Sequence, residues 1–303
     1  MNEQIWTTFK TVAELGTITR AARRLNLSTS AVSQQITQLE QHYQCKLFLR
    51  TGHGVTLTES GEVLYRYVIS LLNTVAESKR QIERINQGTS PSVSIGASFT
   101  VAEYLLPKIL PRYGHQAPVR VSLTMANSQA IMDQVVHGEI EVGLIEATLS
   151  HPDVIVRPFW TDRLAIVVGE GHRFSNRAVV DLDEFLTEPI ILREPGSGTR
   201  LVLESSLSTI GLGLENLNVR MILGTTQAIK AMVSAGVGIS AMSPLVLSTE
   251  ERSRFHLVTV RGLDLYRHFS VVHPEETSSA VGHFVDTILR WPWHDSLERR
   301  SPS

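Results

Sequence analysis

Apolar residues near the start of the chain recur at helical spacing. Ile5, Phe9, Val12 and Ala13 share one face and predict a helix ending near Gly16. Thr17 can cap a second helix, in which Ala21 and Ala22 are small enough for close packing and Leu25 is apolar; Asn26 breaks it. Ser28 reads as the N-cap of a third helix. There Val32, Ile36 and Leu39 fall on one face. Ser30, Gln34, Thr37 and Gln41 fall on the opposite face, with Ser33 and Gln38 beside it. LFLR (47–50) and TGHGVTLTESG (51–61) then predict a short two-stranded wing with Gly52 and Gly54 at its turn.

From Glu59 to about Gln87 there is no proline, and Gly61 is the only glycine. Leu64, Val68, Leu71, Val75, Ser78, Ile82 and Ile85 step alternately by four and three, a heptad seam interrupted at Ser78. A helix of ~28 residues spans about 42 Å. Its apolar stripe needs cover from a second chain, which predicts a dimerising helix; packing on its own domain is the alternative. Gly88-Thr89-Ser90-Pro91-Ser92 predicts the helix end and a hinge.

Residues 93–290 change rhythm. SVSIGA (92–97), VRVSLTM (119–125) and EVGLIE (141–146) alternate with VAEYLLPKILPRY and SQAIMDQVVHG. A second block follows: RLAIVVG (163–169), PIILRE (189–194), VRMILG (219–224) and VGISAMS (237–243), with helical runs between. Alternating β and α runs predict parallel sheets covered by helices, in two subdomains. The chain should cross to the second near Trp160–Arg163 and back near Arg267–Ser270. Pro292 stops the last helix, RWPWHDSLERRSPS reads as a mobile tail, and Trp291 and Trp293 are read as caps on their own domain.

Ligands of such sheets sit beyond the carboxyl ends of the strands. The candidates there are Ser98 and Thr100, Asn127 and Ser128, Arg193, Ser197, Thr199 and Arg200, and Thr225 and Thr226. They put hydroxyls, amides and unpaired backbone N–H groups at helix N-termini, which attract anions. N-capping is the competing use of each hydroxyl. Arg193 and Arg200 could supply countercharge. Glu146 ends a strand and either contacts the ligand or pairs with an arginine.

Composition narrows the function. The 303 residues are 42% hydrophobic and 19% charged, as in a globular chain of two or three domains. No run approaches the ~18 uncharged apolar residues of a membrane span. MNEQIWTTFKTVAEL has an early Glu3 and no apolar signal core, which predicts a cytoplasmic protein without a membrane partner. The single cysteine, Cys45, cannot close an internal disulfide and reads as a small semi-buried residue. GSGTR (196–200) is not a full phosphate loop. His115, His137, His151 and His172 lack zinc-site pairing, and no nucleophile elbow occurs. The expectation is therefore no enzyme, no cofactor and no metal.

Net charge is −2, but residues 1–90 hold ten Lys/Arg against seven Glu, so the remainder carries −5. The positive part contains the helix-turn-helix, as contact with phosphates requires. Thr29, Ser30, Ser33, Gln34, Thr37 and Gln38 could read base edges, and Arg50 could hold the backbone.

Phe9, Val12, Gly16, Thr19-Arg20-Ala21-Ala22, Leu25, Ser28, Ala31-Val32-Ser33, Ile36, Leu39-Glu40, Leu47-Phe48, Arg50, Leu57-Thr58 and Gly61 resemble the N-terminal signature of LysR-type transcriptional regulators. Two positions depart from it. Thr29-Ser30 replaces the usual Gln-Pro or Gln-Ser, and Gln44 replaces a glycine. GASFTVAEYLLPKILPRY, NSQAIMDQVVHGEIEVGLIE and ILREPGSGTR are similar to the family branch that regulates sulfur assimilation and carbon fixation.

The resemblance covers about residues 3–290. It implies an α/β chain with an N-terminal winged helix-turn-helix (1–58), a dimerising linker helix and hinge (59–90) and a two-subdomain, periplasmic-binding-protein-like effector domain (91–303). Subdomain I would be about 91–162 and 269–303, and subdomain II about 163–268. The implied function is a ligand-responsive regulator, commonly a tetramer, that binds a roughly palindromic double-stranded promoter site. The implied effector is a small anion: sulfite, sulfate or a small carboxylate. A cytoplasmic small-molecule-binding module without specific DNA recognition is the alternative.

Overall fold

In a computed structural model, residues 3–52, 54–87, 92–116, 119–147 and 149–293 are described. The expected hinge at 88–91 and the tail from 294 lie outside them. The chain divides into two compact units, the first made mainly of its first 89 residues.

The first unit opens with three helices, α1 (Glu3–Leu15), α2 (Ile18–Leu25) and α3 (Thr29–Tyr43). Their ends are set locally. The Thr17 side chain accepts from Arg20 N and the Ser28 hydroxyl from Ala31 N, each meeting an orphan donor of the first turn. Asn26 and Gln44 end α2 and α3 in the left-handed conformation, at φ +54° and +52°. Phe9, Val12, Ala21, Ala22, Val32, Ile36 and Leu39 form the shared core. The wing is β1 (Phe48–Thr51) paired antiparallel with β2 (Gly54–Leu57). Gly54 is required here. Its φ is +153°, and a Cβ would collide with the Gly16 carbonyl, which accepts from Val55 N at 2.8 Å.

Helix α4 (Glu59–Gln87) runs 29 residues. Leu64, Tyr65, Val68 and Leu72 pack onto the three-helix core, so its first half does serve its own domain. Tyr67, Leu71 and Ile82 are exposed.

The second unit holds two α/β subdomains. The first begins with β3 (Ser92–Ser98), a π-helical turn at Val101–Leu105, α5 (Leu106–Gln116), β4 (Arg120–Ala126), α6 (Ser128–Val136) and β5 (Val142–Ile145). Strand β6 (Ile155–Arg163) leads into the second subdomain: β7 (Ala165–Gly169), β8 (Val179–Val180), α7 (Leu182–Thr187), β9 (Pro189–Arg193), α8 (Gly198–Thr209), β10 (Asn218–Leu223), α9 (Thr226–Ser234), β11 (Ser240–Met242) and β12 (Phe255–Val260). Strand β13 (Tyr266–His273) and α10 (Ser279–Leu289) return to the first.

The first sheet has the order β4-β3-β5-β13-β6. Strands β3, β4 and β5 are parallel, but β13 runs antiparallel to both β5 and β6. The expectation of parallel sheets is corrected here. A strand returning from the other subdomain enters from the opposite end, so it must run against its neighbours. The second subdomain is mixed for the same reason: β9 and β10 are parallel, whereas β7 runs antiparallel to β11 and β12.

Alternation divides each strand between two cores. Val142 and Leu144 of β5 face α5 and α10, whereas Ile145 faces Ile131 and Val135 of α6. Likewise Ile190 and Leu192 of β9 face α8, and Ile191 faces α9. Trp293 caps its own subdomain: its ring lies 4.8 Å from that of Phe159, and Nε1 donates to Ile288 O. Among the described residues no helix is long and apolar enough to cross a membrane, and no His/Cys/Asp/Glu group could hold a metal ion.

Candidate functional site

Helix α3 turns its apolar stripe inward and so must present its polar face outward. Thr29, Ser30, Gln34, Thr37 and Gln38 are exposed and Ser33 is half-buried. Arg50 is exposed on β1. Ser33, Thr37, Lys46 and Arg50 line a groove of about 330 Å³ between α3 and the wing. The Ser30 hydroxyl is 2.9 Å from that of Ser28, so it also supports the cap.

Glu40 ties α3 to the wing. Its carboxylate accepts from Leu47 N (3.0 Å), Phe48 N (3.4 Å) and Lys46 Nζ (2.6 Å). Burial is the largest single influence and raises its pKa. The Lys46 ammonium and the two amides together outweigh it, so the carboxyl lies below its ordinary 4.5. Sequence reasoning placed Glu40 in the family signature without seeing this role.

The second candidate site is the crevice between the two α/β subdomains, where the strand ends meet. Gln129 N donates to Gly196 O (3.2 Å) and Asn127 Nδ2 to Pro195 O (3.3 Å). Gln227 Nε2 bonds the Tyr104 hydroxyl at 3.0 Å. Burial first, then the charges of Glu103 and Glu251, push that hydroxyl up to about 12, so it stays protonated. A Cβ at Gly198 would collide with the Glu146 carbonyl, so α8 begins directly against the end of β5. The subdomains are thus closed on one another. The cavity lined by Thr100, Arg193, Thr199 and Thr226 has about 10 Å³, near the minimum for one water.

Apart from Thr100, which lines that cavity, the predicted residues sort into three groups. Asn127 and Thr225 are caps: their side chains accept from Ala130 N and Ala228 N. Glu146, Thr199 and Arg200 have partners of their own. Arg200 Nε bonds Glu204 along α8, and Nη1 bonds the Arg193 carbonyl, which turns it from the ligand role expected of it. Glu146 pairs with an arginine, but neither candidate: Arg267 Nη1 lies 3.1 Å from its Oε2 and donates to Thr199 Oγ1 at 3.0 Å.

The third group holds the remaining candidates, of which Arg193 is ion-paired with Glu194. Ser98 Oγ and Ser197 Oγ are buried with no hydrogen-bond partner, and Ser197 does not use its side chain to cap α8. The Ser128 hydroxyl accepts from Glu146 N, leaving its own proton to give. Thr226 Oγ1 is 3.5 Å from Arg193 Nη1. The Arg193 guanidinium, 4% exposed, stacks over Phe99 at 5.2 Å.

Sequence reasoning missed Asp162, Ser243 and the role of Arg267. Arg267 is 1% exposed; its Nε and Nη2 both lie 2.8 Å from Asp162 Oδ2, and Ser243 Oγ donates to Oδ1. Their one signal was position: opposite charges in the two segments expected to cross between subdomains.

Comparison with known proteins follows this architecture. The family described as "Bacterial regulatory helix-turn-helix protein, lysR family" matches residues 5–62, and "LysR substrate binding domain" matches residues 86–292. The chain is 33% identical to the HTH-type transcriptional regulator YeiE of Escherichia coli K12, over 92% of this chain and 94% of the relative. It is 28% identical to the regulator CysL of Bacillus subtilis 168, over 88% and 89%. Among solved structures, the LysR family transcriptional regulator CbnR superposes with a TM-score of 0.65 at 19% identity, covering 96% of this chain and 99% of that one. The Synechocystis CcmR regulatory domain in complex with 2-PG has a TM-score of 0.60 at 23% identity, covering 66% and 96%. The likeness to these structures is one of fold.

Proposed function

We propose that this chain, which belongs to the LysR family of transcriptional regulators, takes a small anion into the crevice between its two α/β subdomains and binds its promoter differently when that anion is present. As a family member it is a ligand-responsive DNA-binding regulator rather than an enzyme, and its named relatives are regulators. A binding module without specific DNA recognition would leave residues 5–62 without a role. We infer a cytoplasmic location from its work on DNA.

One observation carries the anion reading. Ser98 and Ser197, on opposite sides of the crevice, hold buried hydroxyls without partners, and such groups are costly unless something bonds them. Ser128 has a hydroxyl proton to give and Arg193 a buried positive charge. An oxyanion or carboxylate offers acceptors to all of them. The resemblance to regulators of sulfur assimilation favours sulfite or sulfate, with a small carboxylate as the other candidate. The ligand acts on transcription only through unequal affinity for the states of the protein.

The test is a melting-temperature series on the full-length protein with sulfite, sulfate and acetate, beside promoter affinity with and without each. A rise in melting temperature together with a change in promoter affinity supports the reading. No effect of any of the three overturns it.

The outward side chains of α4 support self-association: Tyr67 is 71% exposed and Ile82 57%. Two copies joined there would carry two α3 helices to two half-sites, and a second such pairing would make the tetramer.

A further inference from the structure

Two buried arginines serve the crevice, and each is already neutralised. Arg267 is matched by Asp162 and Glu146. Arg193 is matched by its own neighbour in sequence: Nε and Nη2 donate to the two oxygens of Glu194 at 2.8 and 3.0 Å. That is a side-on bidentate pair, the geometry in which a guanidinium grips a carboxylate or other oxyanion most strongly. The partners differ in freedom. Arg193 is 4% exposed and held against Phe99, with longer contacts to Thr226 and the Gly224 carbonyl. Glu194 is 23% exposed and hangs on a flexible side chain at the crevice rim.

We propose that Glu194 is a tethered stand-in for the effector. It occupies the anion-gripping edge of Arg193 in the empty protein and must swing out before a bound oxyanion can take that edge. The inference rests on the anion reading given above. Displacement rather than addition follows from space and charge. The cavity beside Arg193 holds about 10 Å³, and two anions on one guanidinium repel in a desolvated site.

Two consequences follow. The competent state is only the fraction with Glu194 released, which weakens the apparent affinity by that fraction. A singly charged carboxylate exchanges like for like and gains little, whereas a doubly charged oxyanion gains a second unit of attraction. Glu194 therefore selects for small dianions.

The experiment is calorimetric titration of sulfate, sulfite and acetate into the full-length wild type, Glu194→Gln and Glu194→Asp, with melting curves to confirm folding. Gln keeps the shape without the charge. Asp keeps the charge but is too short for the bidentate grip. The expected result is a sulfate or sulfite Kd lowered about tenfold in both variants, with acetate binding gained. Tighter binding in Glu194→Gln alone would mean simple long-range repulsion and overturn the proposal. Unchanged or weaker binding in both would make Glu194 an orienting partner of Arg193; the proposal then falls and the anion reading stands. Failure of every anion with all three proteins overturns both.

Discussion

Arg267 and Asp162 are directly opposed partners on β13 and β6, and Arg267 Nε lies 2.8 Å from Asp162 Oδ2. These are the strands by which the chain leaves and re-enters the first subdomain. The same guanidinium reaches Glu146 at the end of β5 and Thr199 in the first turn of α8. One buried charge thus bonds groups of both subdomains.

Arg267→Met leaves two buried carboxylates facing each other without a cation. Losing one partner of such a buried pair costs about 3–5 kcal/mol. Urea unfolding of the full-length protein is expected to show a loss of that size. A loss no greater than that of a surface substitution, about 0.5 kcal/mol, would refute the role given to Arg267.

Gln44 holds φ +52° without being glycine. Such a conformation costs a side-chain-bearing residue roughly 1–2 kcal/mol, and glycine returns part of that through unfolded-chain entropy. Gln44→Gly should therefore raise stability by about 0.5–1 kcal/mol, read as a higher melting temperature of the first unit. Unaltered promoter affinity would show that Gln44 serves no contact with DNA.

Glu40 predicts a pH dependence. Its folded pKa is depressed, so the folded state binds fewer protons than the unfolded one near that pKa. The stabilisation is complete above the ordinary value of 4.5 and is lost as pH falls through the lower folded value. Glu40→Gln should melt lower than wild type at pH 7, and the gap should narrow below pH 4.5. A gap constant with pH would sink the assignment.

The DNA face separates two kinds of contact. Ser33→Ala and Gln34→Ala should weaken binding to a cognate promoter by about 1–3 kcal/mol each with little effect on random DNA. Arg50→Ala should weaken both and lower the salt dependence by about one unit of slope. Fluorescence anisotropy against two DNAs at three salt concentrations reads all of this.

The outward face of α4 can be tested by charge. Tyr67→Glu or Ile82→Glu places an acid where each exposed apolar side chain stands. Sedimentation should show a smaller assembly, and promoter affinity should fall with it. An unchanged sedimentation profile would remove α4 from the self-association surface.

Much of the first unit was legible because its determinants are local. Thr17 and Ser28 cap amides three residues on, and Val32, Ile36 and Leu39 mark the buried face of α3 by spacing alone. The crevice was legible only as a set of strand ends. Arg193 and Arg200 looked alike in sequence, yet one faces Phe99 and the other Glu204. The caps at Asn127 and Thr225 could not be told from the unused hydroxyl of Ser197, because each is a polar residue before a helix.

The order of elements, the caps at Thr17 and Ser28, the buried stripe of α3 and the family were determined by the sequence itself, since each depends on residues a few positions apart or on an ordered motif. Only the tertiary structure decided which charges meet. Asp162 and Arg267 are 105 positions apart, and nothing local ties either to the other. Their pairing follows from the antiparallel return of β13. The closure that sets Arg193 over Phe99 likewise depends on how two separate cores bring their strand ends together.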